Sequence, residues 1–189
     1  MTPRDRVYAQ IRHEETYPIP FTLGIDPGVA ERVDAHYGDR AWRDRIAPAI
    51  KGVGVVDADR HEQLDPVRQR DAFGTVWRTD LKPRHHEEPG LAEPSWDGYT
   101  FPSAEQFIDE DKRQQSLEIC EASTDSFLVA GFGWGLFERS WTIRGFENAL
   151  MDVAAEPDFY EELLERITEL QLAFIRESVK LPVDGIMFS

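Results

Sequence analysis

A single cysteine, Cys120, is all the thiol this 189-residue chain contains. It excludes an intrachain disulfide framework and any multi-thiolate metal site built from this chain alone, and makes a reducing, cytoplasmic setting the expectation. No run of about 18 apolar residues occurs. The opening Met1-Thr-Pro-Arg-Asp-Arg6 passes directly into a polar helical pattern without the apolar core of an export signal. Neither a membrane span nor a visible signal is therefore expected. Cations are scarce as well: 21 Lys and Arg stand against 36 Asp and Glu, a net charge of −15 at pH 7. Duplex nucleic acid and anionic membranes require clustered positive charge, so a small molecule or another protein is the expected partner.

What is present reads as alternating strands and helices. Thr2 followed by Pro3 is an N-cap with proline at the first helical position, and a short helix runs to about His13. Tyr17-Pro-Ile-Pro-Phe-Thr-Leu-Gly-Ile25 predicts a first strand at about 20–25. Asp26-Pro27 opens a helix that closes at Gly38, and a second follows from Asp39 to about Lys51. Residues 52–57 form a short β-rich segment, and Val67 to Thr79 reads as a hairpin turning near Phe73-Gly74. The proline-rich stretch from Lys82 to Pro102 is an ordered excursion carrying Leu91, Trp96, Tyr99 and Phe101. Ser103-Ala-Glu-Gln106 predicts a capping box and a helix to about Glu121.

Phe127-Leu-Val-Ala130 has the continuous apolar character of a strand buried on both faces. Behind the following glycine cluster come an aromatic helical stretch and a helix at about 145–155. Pro157 opens the longest helix, in which Phe159, Leu163, Ile167, Leu170 and Phe174 step by 4, 4, 3 and 4 while Glu162 and Arg166 pair on the wet side. Val183 to Ser189 is a last strand, and the chain stops at or inside it. Strand–helix–strand order predicts a parallel sheet. The expected class is an α/β, (β/α)8-barrel type that is incomplete, with about three barrel strands plus an N-terminal helical and hairpin excursion, since a full barrel needs about 250 residues. An exposed parallel edge also predicts self-association, with a homodimer as one form.

Several residue groups carry chemical potential. Gly131-Phe132-Gly133-Trp134-Gly135 lies between a strand and a helix, where glycines let backbone approach a ligand. Leu136 stands where G-x-G-x-x-G needs its last glycine, and the region reads as a ligand loop or as a plain tight turn. Phe137-Glu138-Arg139-Ser140-Trp141 sets two charges among aromatics, either as an acid or base with shifted pKa or as an ion pair under aromatic packing. Asp57, Asp59 and His61 suit a hard cation, acid–base work or a solvated turn. His85-His86-Glu87-Glu88 resembles a metal tract in composition, but adjacent strand residues point apart. Asp71 either anchors the hairpin through an Asx turn or faces a site. Cys120 reads as a small core residue and Arg144 as a surface or cap residue.

In order along the chain, Thr2-Pro-Arg-Asp-Arg6-Val7 ahead of Ile19-Pro-Phe21, Asp71-Ala-Phe-Gly74-Thr-Val-Trp77, Gly98-Tyr-Thr-Phe-Pro102, Leu128-Val-Ala-Gly-Phe132 with the aromatic stretch to Gly145-Phe-Glu-Asn148, Glu156-Pro157 and Val183-Asp-Gly-Ile186 form a series. With this series the chain resembles the N-terminal half of the uroporphyrinogen decarboxylase superfamily, which also holds the corrinoid-linked methyltransferases. The resemblance implies one domain over residues 1–189, a (β/α)8 barrel with its site at the strand C-termini, and a chain carrying about half of that barrel.

Authentic decarboxylases carry Arg-Gln-Ala-Gly-Arg after their first strand, whereas this chain has Leu23-Gly-Ile-Asp26-Pro-Gly28. The carboxylate clamp for an eight-carboxylate substrate is thus missing. The methyltransferase branch binds zinc through His-x-Cys and a distant Cys. No His-x-Cys occurs here, so zinc and corrinoid sites would depend on residues outside this chain.

The expectation is a methyltransferase-type or uncharacterised relative acting on a small substrate or a corrinoid-bound methyl group, with a corrinoid protein as a possible partner. Uroporphyrinogen decarboxylation and a non-catalytic binding module are the alternatives. By this resemblance Gly131, Phe132, Gly133 and Phe137 line the pocket, with Trp141 where the family places a site tyrosine; the residues themselves add Trp134 and Asp57 as substrate-binding candidates and Glu138 and Arg139 as the catalytic ones.

Overall fold

The N-terminal helix follows directly from its cap. In a computed structural model describing residues 1–46, 48–58, 60–81, 83–131 and 133–188, the Thr2 hydroxyl accepts from the Asp5 N–H at 3.1 Å and the Asp5 carboxylate from the Thr2 N–H at 2.9 Å. This reciprocal box opens α1 (Pro3–Ile11). Asp26 likewise accepts from Gly28 and Val29 and opens α2 (Pro27–Tyr37), which is followed by the short α3 (Trp42–Arg45). The strand expected at 20–25 does not form; among the described residues the backbone there makes one hydrogen bond toward the sheet region, Ala49 N–H donating to Phe21 O at 2.9 Å. Extended, apolar sequence is insufficient without a neighbouring strand to pair with. The helix expected from Asp39 to Lys51 is cut to α3, because Ile50–Val53 is taken by β1.

Between residues 61 and 88 the chain runs β2 (His61–Asp65), β3 (Arg68–Asp71), β4 (Val76–Arg78) and β5 (His85–Glu88), an antiparallel sheet in sequential order. After a 3₁₀ turn at Ala104–Gln106 come α4 (Glu110–Ala122), β6 (Phe127–Gly131), α5 (Leu136–Arg144), α6 (Phe146–Ala155), α7 (Pro157–Ser178) and β7 (Gly185–Met187). Asp109, rather than Ser103, caps α4 by accepting from the Lys112 N–H. Before it, the backbone is drawn out of helical pairing by the segment after β1, with the Asp57 N–H donating to Phe107 O at 2.7 Å and the Asp109 N–H to Val55 O at 2.9 Å.

The three remaining strands pair in parallel, in the order β1-β6-β7. The barrel expectation is therefore overturned. The described residues form a three-stranded parallel sheet and a separate four-stranded antiparallel sheet, with seven α-helices among them. Consecutive hairpins occupy the stretch where a barrel would alternate strand and helix, and β1 and β7 are open edges, so the layout does not close on itself.

The expected stripe on α7 is core. Leu163, Ile167, Leu170 and Phe174 pack with Val55, Phe107, Leu128 and Ile143, and Cys120 joins them from α4. On the outer side of α7, Glu162 accepts from Arg166 and from the Trp96 indole, and the Arg166 guanidinium lies 4.3 Å from the Trp96 ring centre. Arg144 departs from the surface position expected of it. It is 2% exposed and grips Asp152 through two bonds, Nε to Oδ2 at 2.6 Å and Nη2 to Oδ1 at 3.0 Å, with Nη1 donating to Leu91 O at 2.6 Å.

α1 is tied to the far end of the sheet by Asp184. Its carboxylate accepts from Arg4, from the Tyr8 hydroxyl at 2.7 Å and from the Leu128 N–H at 2.9 Å. Burial opposes the charged form, but the Leu128, Tyr8 and Arg4 donors outweigh it and hold this carboxyl below the usual range. A folded-state pKa depressed below the unfolded value of about 3.9 gives a contribution fully present above that pH and lost as pH falls through the folded value. Urea midpoints measured from pH 7 to pH 2.5 should therefore fall more steeply below pH 4 for the parent protein than for Asp184→Asn. Parallel curves for the two would remove Asp184 from the acid response.

Candidate functional site

The antiparallel sheet and α5 face each other across a cavity of about 380 Å³ beyond the carboxyl ends of β1 and β6. Register explains the sheet's contribution. His61 stands opposite Asp71 across β2 and β3, and Gln69 opposite Trp77 across β3 and β4. Strand alternation places all four on one face, and all four line the cavity. From the other side come Trp134, Glu138, Arg139 and Trp141, while Ala58, Pro83 and Arg84 complete the wall.

Asp71 organises the sheet side. Its Oδ1 accepts from the Phe73 and Thr75 N–H groups at 2.9 and 3.0 Å, and its Oδ2 from the Trp77 indole at 2.9 Å. The Asx-turn reading of this residue is realised, and Asp71 also lines the cavity. The turn it builds is pressed against Gly90, where a Cβ would fall 2.1 Å from Phe73 O, so no side chain fits there. Tyr99 donates to the same Phe73 carbonyl at 2.9 Å, and burial together with the Asp71 charge pushes its phenol well above the ordinary range. Trp77 meets Trp134 edge to face at 5.8 Å and His86 at 5.4 Å. His86 Nε2 lies 3.1 Å from Thr142 O, an acceptor only, so that nitrogen carries the hydrogen.

On the helical side Glu138 Oε2 accepts from the Gly135 N–H at 3.2 Å, closing the first turn of α5. Arg139 is 9% exposed, its guanidinium 4.4 Å from the Phe73 ring centre and 5.3 Å from that of Trp134. Trp134 and Trp141 stack at 5.9 Å with 29° between planes. Gln171 of α7 donates to Trp134 O at 2.8 Å and fixes the loop from behind. Gly133 has φ +99°, and a Cβ there would lie 3.1 Å from that of Ala58, so the loop can turn against Ala58 only with glycine.

The structure thus brings together Glu138, Arg139, Trp134 and Trp141, with Gly133 adjoining them. Gly131 ends β6 beside Met187 and does not line the cavity. Phe137 turns away to meet Phe146 at 6.3 Å. Asp57 accepts from Lys112 at 2.7 Å and reaches the cavity only through its neighbour Ala58. Phe132 and Asp59 lie outside the described residues. Gln69, Pro83 and Arg84 were not anticipated. Nothing in their local sequence marks them; they reach the site through strand register and the segment joining β4 to β5.

Among the described residues no group of three or more His, Cys, Asp or Glu is arranged to hold a metal ion. Cys120 is buried in the core, and burial with the nearby Asp184 and Glu121 charges pushes its thiol pKa up, away from the thiolate a metal needs. The described residues do not fit a zinc–thiolate centre. Nor, among them, is any helix long and apolar enough to cross a membrane.

No family model matches the sequence, and no curated protein matches it either. A methyltransferase from Methanosarcina mazei is similar in structure, with a TM-score of 0.63 at 14% identity over 98% of this chain and 58% of that one. The chain thus spans less than two thirds of that protein's length, and the likeness is one of fold.

Proposed function

We propose that the cavity between α5 and the antiparallel sheet holds the small organic substrate of a methyl transfer, with a corrinoid-bound methyl group as the other reactant. The observation that carries this reading is the convergence of Glu138 and Arg139 with three tryptophans on one cavity of about 380 Å³, within the range of small-molecule sites. Its position beyond the strand ends agrees with where open α/β sheets bind ligands, and the similar fold of a methyltransferase supports the class of reaction.

In this scheme the indoles exclude water and fix the substrate's orientation. Glu138 takes the proton of the attacking heteroatom, and Arg139 balances the negative charge gathered at that atom. Gly133 allows the loop to lie close to both groups. Asp57 acts at the margin of the mouth through its neighbour Ala58, and Gly131 marks where β6 gives way to the loop.

The test is protein-dependent loss of the carbon–cobalt bond of methylcobalamin in the presence of small thiols, followed by visible absorbance. Transfer above the protein-free rate, lowered about tenfold or more by Glu138→Gln, is the expected result. Release of carbon dioxide from carboxylated substrates without any methyl transfer would overturn the proposal in favour of decarboxylation.

A further inference from the structure

We propose that this cavity selects a small aromatic monocarboxylate, an inference that rests on reading the cavity as the substrate site. The body of the ligand follows from the walls. Trp134 and Trp141 stack on each other at 29° while Trp77 stands at 86° to Trp134, so the stacked pair and Trp77 meet as a corner of perpendicular rings. A flat ring placed in such a corner stacks on one indole and meets another edge to face, the two favoured aromatic geometries. A volume of about 380 Å³ lies near the lower end of ligand cavities and suits one ring or two fused rings.

The head group follows from which charges of the cavity already have partners. Both oxygens of Asp71 are taken by three donors. Glu138 accepts from Gly135, and Arg139 is sandwiched over Phe73 and Trp134. Arg84, exposed at the mouth, makes no hydrogen bond or ion pair with any described residue. The unmet requirement of the cavity is thus an anion, and the planar guanidinium fork matches a carboxylate in two parallel bonds. A cationic ligand would instead be placed beside Arg84, while a neutral one would leave that guanidinium unused. The chain's net charge of −15 repels anions at long range, but salt screens that repulsion beyond about 8–10 Å and leaves the contact pair intact.

Three of the five tryptophans line the cavity, so intrinsic fluorescence reports its occupancy. Titration of the intact chain with benzoate, benzyl alcohol and benzylamine is the test. Saturable quenching by benzoate is expected, with affinity lower by about tenfold or more for the other two probes and for benzoate with Arg84→Ala. Arg176→Ala, an exposed arginine on α7 that does not line the cavity, should leave the benzoate curve unchanged. Equal affinity for benzylamine or benzyl alcohol, indifference of benzoate to R84A, or no quenching by any probe would overturn the proposal. Benzoate binding without methyl transfer would sink the reaction proposed above and leave this inference standing. Methyl transfer to small thiols without benzoate binding would do the reverse.

Discussion

Arg144→Ala should lower the free energy of unfolding by about 3–5 kcal/mol, the usual cost of removing one partner from a buried ion pair. Both side chains are nearly inaccessible, at 3% for Arg144 and 6% for Asp152. Loss of the guanidinium leaves a desolvated carboxylate and strips Leu91 O of its donor. Arg144 also lies 5.4 Å from the Phe159 ring centre, so its removal takes packing with it. Urea denaturation with a shared m-value measures the loss. Asp152→Ala should be comparably damaging, whereas replacing both residues with apolar side chains of similar volume should recover much of the difference. A loss below about 1 kcal/mol for R144A would show that water reaches the pair.

The second large effect is expected at Asp71. Asp71→Asn keeps one oxygen for the Phe73 and Thr75 N–H groups but turns an NH₂ toward the Trp77 indole N–H, setting donor against donor. Hydrogen bonds to a charged acceptor contribute about 1.5–3 kcal/mol each, and a loss of about 2–3 kcal/mol in stability is expected from this change. Because both Asp71 and Trp77 line the cavity, benzoate affinity should fall with it, by about tenfold. Stability unchanged but binding lost would mean that Asp71 acts on the ligand rather than on the turn.

The two residues differ in how far they could be read from sequence. Asp71 announced itself because its partners are two to six positions away, within the Asp71–Trp77 segment. Arg144 did not, since Asp152 lies across the break at Gly145 on the next helix and the pairing depends on how α5 and α6 are folded together. The same division runs through the fold. α7 was legible because its apolar spacing is periodic over 22 residues, and β6 because a short apolar run sits between polar and glycine boundaries. The strand expected at 20–25 and the incomplete (β/α)8 barrel were not formed, since strand pairing depends on neighbours that local pattern does not specify. In the site, the residues of one helix turn, Glu138 to Trp141, could be grouped from sequence. Their counterparts His61, Gln69 and Trp77 could not, because cross-strand register brings them to a common face.

The tie between Tyr8 and Asp184 joins residues 176 positions apart. During synthesis, α1 emerges before the other described elements and can form on its cap alone, and Val7 and Tyr8 can rest against Phe127 as soon as β6 has been made. Their polar anchor arrives only when residue 184 leaves the ribosome, at roughly 5–20 residues per second, seconds to tens of seconds later. A helix made long before Asp184 is therefore secured only once Asp184 has followed it. Until then apolar contact with Phe127 holds it without that anchor, and nascent chains in which β6 but not Asp184 has left the ribosome should show α1 more open to proteolysis than the finished protein does.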